Sequence, residues 1–122
     1  MFTLPQSVSV YMAVQPMDMR KGFDRLAGAT QEILGQNPLS GHLFVFFNKG
    51  RNRVKVLFWD RSGYCLYYKR LERGCFHFPQ YLAEGTEVLQ VAVSDFALML
   101  EGIDLYGAVR RERYVLPSSG GA

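Results

Sequence analysis

Apolar residues recur at three- and four-residue steps in only two stretches of this chain; elsewhere they alternate or run together. Residues 8–14, VSVYMAV, are β-branched and aromatic and predict a strand ended by Pro16. Asp18 then predicts a helix N-cap. Met19, Phe23, Leu26, Ala27, Thr30, Ile33 and Leu34 trace one apolar stripe along that helix. Gly35 predicts its stop, and Pro38 prevents continuation. LFVFF at 43–47 is unbroken apolar and predicts a central strand buried on both faces. The loop NKGRN at 48–52 has two Asn and one Gly, which tolerate positive φ, and turns the chain into a returning strand, RVKVLFW at 53–59. Alternation puts Arg53, Lys55, Leu57 and Trp59 on one face and Val54, Val56 and Phe58 on the other.

A second turn, DRSG at 60–63, leads into YCLYYKR at 64–70, with Tyr64, Leu66 and Tyr68 opposite Cys65, Tyr67 and Lys69. A third turn at 71–74 precedes a short fourth strand, CFHF at 75–78. EVLQVA at 87–92 predicts one more strand. Ser94 predicts an N-cap, with Asp95 complementing the helix dipole. Phe96, Ala97, Met99, Leu100 and Ile103 then form the apolar face of a short helix. The fold class is therefore α+β: an antiparallel meander of about four to six strands, with one longer N-terminal helix and one short C-terminal helix packed on it. One domain is expected over residues 1–108, with a C-terminal tail over 109–122 that frays after Pro117.

Length and composition change this picture little. A chain of 122 residues can bury its own core. Cys65 and Cys75 are the only cysteines, too few for a disulfide framework, and are expected as reduced thiols in a cytoplasmic protein. No apolar run approaches the roughly 18 residues that span a bilayer. The first residues lack a basic segment and a small-residue cleavage site, so no secretory signal is expected.

Catalytic patterns are absent. GQNPLSG at 35–41 lacks the Lys-Ser/Thr pair of a phosphate-binding loop. Neither a nucleophile elbow nor an H-E-x-x-H pair occurs. Cys65, Cys75 and His77 are too few for zinc, and no metal or cofactor is expected. Asp18, Asp24, Asp60, Asp95, Glu101 and Asp104 are the acids that a two-metal nuclease would need. Each has a simpler place at a helix cap, a turn or a helix surface. His42 and His77 read as structural.

Charge is the informative feature. Residues 49–73 hold eight of the fourteen Lys and Arg and two acids, Asp60 and Glu72, for a formal +6; the remainder of the chain is −3. Cations interleaved with Trp and Tyr on a sheet suit a polyanion, whose phosphates meet the charges and whose bases meet the rings. The candidate nucleic-acid contacts are Lys49, Arg51, Arg53, Lys55, Arg61, Lys69, Arg70 and Arg73, with Arg20 and Lys21, which are misplaced for stability at a helix N-terminus. Lys69 and Arg70 are adjacent and point to opposite faces. Trp59, Tyr64, Tyr67 and Tyr68 are the residue types that anchor protein interfaces.

Several blocks read together: DMRKGFD at 18–24, SGHLFVF at 40–46, KVLFWD at 55–60, GYCLYYKRLE at 63–72 and LEGID at 100–104. In this order, over roughly residues 8–105, the chain resembles the TnpB-type accessory proteins of the insertion-sequence-sixty-six family of bacterial mobile elements. These are distinct from the RNA-guided nucleases that share the name. The resemblance implies a role in DNA transposition beside a separate transposase that carries the catalytic acids. Three readings follow. In the first, a non-catalytic accessory binds DNA, the transposase or both through its basic, aromatic-rich sheet. In the second, the sheet docks the transposase or self-associates without touching DNA. The third, a metal-dependent nuclease using Asp60 or Asp24, fits the acids least.

Overall fold

LFVFF carries no polar side chain, and it occupies the one place where a strand needs none. The computed structural model describes residues 7–77 and 85–101. Within them the strands are β1 (Ser9–Ala13), β2 (Leu43–Phe47), β3 (Arg53–Asp60), β4 (Gly63–Arg70) and β5 (Val88–Ala92), and the helices are α1 (Phe23–Glu32) and α2 (Val93–Leu100). The sheet order is β4-β3-β2-β1-β5, which puts β2 in the middle with all five residues buried.

Its two faces carry separate cores. On one, Leu26, Ala29 and Leu34 from α1 and the segment after it pack with Ala13, Phe44, Phe46 and Leu57. On the other, Phe96 and Met99 of α2 pack with Val10, Met12, Val45, Phe47, Val54 and Val56, joined by Phe76. Side chains from one strand alternate between the two clusters, as the pleat requires.

The architecture is α+β, but the sheet is mixed rather than an antiparallel meander. β2-β3-β4 and β1-β5 pair antiparallel, while β1 and β2 run parallel, Val10 opposite Leu43. Parallel neighbours need a long crossover, and α1 lies on it. The expected fourth meander strand does not form within residues 75–77; that segment folds back instead, with Phe76 N donating to the Arg51 carbonyl at 2.6 Å.

α1 is shorter than the stripe from Met19 to Leu34 predicts: it spans ten residues, Phe23–Glu32, against eight in α2. Asp18 is the reason. Its Oδ1 accepts from Arg20 N at 2.9 Å, and its carboxylate takes a forked pair from the Arg20 guanidinium. An Asp committed to a local turn cannot cap a helix. The helix starts after Gly22, and Phe23 is exposed while Ala29 takes a place in the stripe. Gly35 adopts φ +65°, and beyond it Gln36 N donates to the Thr30 carbonyl, closing the helix end as predicted. Ser94 is not the cap of α2; the helix begins directly from β5 at Val93, with Asp95 in its first turn. The expected tail, residues 109–122, lies outside the described residues. Among those described, no helix is long and apolar enough to cross a membrane.

Candidate nucleic-acid interface

The turn Arg61-Ser62 pairs Asp60 with Gly63, and that fixes the register of the whole hairpin. Trp59 faces Tyr64, Leu57 faces Leu66, Lys55 faces Tyr68 and Arg53 faces Arg70. These eight side chains lie on the α1 side of the sheet. Cys65, Tyr67 and Lys69 lie on the α2 side.

The loop before β3 is held by its two asparagines. Asn48 Oδ1 accepts from Asn52 N and Arg53 N at 3.0 and 2.9 Å, and Asn48 Nδ2 donates to Asn52 Oδ1 at 2.7 Å. Because Asn48 and Asn52 serve as clamps, the positive φ expected of Asn or Gly falls on Arg51, at 56°. Arg61 adopts φ 53° in the next turn. A left-handed conformation costs a non-glycine residue about 1–2 kcal/mol, so both arginines sit against the backbone's preference. The chain leaving β4 returns to the same loop, Leu71 N donating to the Asn52 carbonyl at 2.8 Å.

Five of the candidate cations therefore meet at one end of the sheet: Lys49 and Arg51 in the loop, Arg53 and Arg70 at the strand ends, and Arg73 in the returning segment. Among the described residues of this loop and the returning segment, Glu72 is the acid, and it holds Arg70 at 2.9 Å with both side chains exposed. Arg53 directly opposite Arg70 is a like-charge cross-strand pair, an arrangement that destabilises a sheet. Arg61 sits at the far end of β3, about 25 Å away at the usual rise per residue.

Lys55, Lys69 and Arg20 are otherwise engaged. Lys55 is only 7% exposed. Its Nζ donates to the Lys21 carbonyl at 2.8 Å and lies 4.7 Å from the centre of the Tyr68 ring. It is an internal support that ties the approach to α1 onto the sheet. Lys69 Nζ donates to the Leu100 carbonyl at 2.7 Å on the opposite face, where a cation favours the C-terminal end of α2. Arg20 is exposed and pairs with Asp18 at 2.7 Å. The Arg20 guanidinium holds the Asp18 carboxyl well below the usual carboxylate range and is itself raised in return. Burial pushes the Arg51 guanidinium down, opposed by the neighbouring Cys75.

The aromatic candidates divide likewise. Trp59 and Tyr64 pack edge-to-face, 5.2 Å between centroids. Tyr68 accepts a hydrogen bond from Arg53 Nη1 at 3.1 Å and is 47% exposed. Tyr67 lines an apolar groove of about 380 Å³ with Val56, Phe58, Val93, Phe96 and Leu100. His42 is structural: its Nδ1 accepts from Ser9 N at 3.0 Å. Among the described residues, no group of three or more His, Cys, Asp or Glu is placed to hold a metal ion. The unit formed by Arg53, Lys55, Tyr68 and Arg70 went unrecognised in the sequence, although counting back from a two-residue turn yields its register.

Comparison with known proteins places the chain in a family. The family model described as IS66 Orf2 like protein matches residues 8–110. Two proteins of Sinorhizobium fredii (strain NBRC 101917 / NGR234) are similar. The uncharacterized protein y4hO is 42% identical over 99 residues, covering 81% of this chain and 84% of its own. The uncharacterized protein y4jC is 33% identical over 99 residues, covering 81% and 82%. No solved structure matches the chain significantly.

Proposed function

The chain belongs to the IS66 Orf2-like family, which points to an accessory role in transposition, and from that premise we propose that it is a non-catalytic accessory whose basic sheet end holds nucleic acid. The observation that carries this reading is the convergence of Lys49, Arg51, Arg53, Arg70 and Arg73 around one hairpin loop, with Glu72 as the acid among them. These side chains reach phosphates and carry no array for reading base edges, so binding is weakly sequence-specific. Salt titration tests it. The logarithm of duplex affinity falls against log salt with a slope of about −3 to −4.5, one counterion released for each of three to five phosphates. A slope near zero contradicts the proposal.

The apolar groove beside Tyr67 favours a second contact, with the transposase of the same element. Tyr67 and Phe58 at an open apolar surface are suited to anchoring a protein partner. Co-purification of the two proteins from nuclease-treated lysate, weakened by Tyr67→Ala, is the expected result. Absence of a complex counts against this second contact and leaves the first untouched.

A further inference from the structure

We infer that the Tyr68 ring is a stacking platform for an unpaired base, so that the basic end of the sheet takes single-stranded nucleic acid in preference to duplex; this rests on the reading that this end contacts nucleic acid. Tyr68 is a large aromatic residue left nearly half exposed on a strand at the sheet edge. It is not loose. Its backbone is paired opposite Lys55, its hydroxyl accepts from Arg53, and its ring rests against the Lys55 ammonium.

The buried ammonium supplies the clearest sign. A lysine this deep normally needs a carboxylate; here a backbone carbonyl and the tyrosine ring accept it instead. The result is a ring supported from inside the sheet and open to solvent outside. An ordered ring loses no further side-chain freedom when a base stacks on it.

The flanking charges match. Arg70 is two residues along the same face, about 7 Å along the backbone, and Arg53 lies diagonally across with its guanidinium on the Tyr68 hydroxyl. A nucleotide whose base covers Tyr68 has its phosphate within reach of either guanidinium. A duplex cannot use the ring this way, because its bases are stacked on one another and present only their edges in the grooves. Stacking on one aromatic strengthens single-strand binding by about tenfold.

The test compares an oligothymidylate of about 20 nucleotides with a duplex of equal length at one salt concentration, read by fluorescence anisotropy. The oligothymidylate is expected to bind more tightly. Tyr68→Leu weakens it about tenfold and changes duplex affinity by less than about twofold. Tyr68→Phe, which keeps the ring and loses only the hydroxyl, retains single-strand binding and guards against a folding artefact. Tighter binding of the duplex overturns the inference, as does a Tyr68→Leu effect that is equal on both nucleic acids or absent from both. In those cases the phosphate-binding reading stands. If the wild-type protein binds neither nucleic acid, that reading fails and this one with it.

Discussion

Alanine at Phe44 is expected to cost about 3–5 kcal/mol of folding stability, the usual loss for a fully buried aromatic. Phe44 has no exposed surface and sits on the central strand. Its ring stacks on Tyr11 at 6.0 Å, and Leu57 lies directly across on β3. Neighbours on three elements of one core cannot all collapse into the space left behind, because β2 is fixed on both sides by its ladders. Against a typical domain stability of about 5–15 kcal/mol, this loss is large. Thermal unfolding followed by the fluorescence of Trp59, the single tryptophan, should show a midpoint lowered by about 10–20 °C. The control is Leu39→Ala. Leu39 is 52% exposed, and its loss is expected to stay within about 0.5 kcal/mol. Equal effects at the two positions would mean that the core is not centred on β2.

Neutralising Arg53 and Arg70 together produces the second large effect, and its two readouts move in opposite directions. Removing two phosphate contacts flattens the salt slope by about 2 and lowers DNA affinity by about 50-fold near 0.1 M salt. The same Arg53→Gln, Arg70→Gln double variant relieves a cross-strand repulsion, which raises stability by up to about 1 kcal/mol. The loss of the exposed Arg70–Glu72 pair subtracts little from that, since such pairs contribute less than about 1 kcal/mol. A protein that folds better and binds worse is the signature of charge retained for a ligand. A variant that is destabilised yet binds normally would make these arginines structural.

The parts of the fold legible in the sequence are those set by neighbours in the chain. LFVFF announced its two-sided burial, and the two-residue turn at Arg61-Ser62 determined which residues of β3 and β4 oppose each other. The parallel pairing of β1 with β2 was not legible, because a strand's alternation says which face is buried and nothing about which strand lies beside it. Asp18 showed the same limit at shorter range: the side chain had two local partners, and the Arg20 fork outcompeted the helix cap. In the candidate site, alternation correctly put Lys55 beside Arg53 and Trp59 on one face. It could not show that the approach to α1 crosses that face and covers the ammonium. The charge block was plain, but sorting its exposed cations from its supporting ones needed the tertiary packing of α1 and α2.

The position of β1 has a consequence for synthesis. β1 pairs on one side with β2 and on the other with β5, the last strand among the described residues. On a ribosome the β2-β3-β4 hairpins can close from adjacent residues as they emerge, whereas β1, made first, keeps one edge open until residues 88–92 have left the exit tunnel. A nascent chain halted before that point presents an unpaired hydrogen-bonding edge beside Val10 and Met12, before α2 exists to cover them. Translation arrest in this interval therefore yields a sticky intermediate, which persists until β5 and α2 have emerged to seal the sheet.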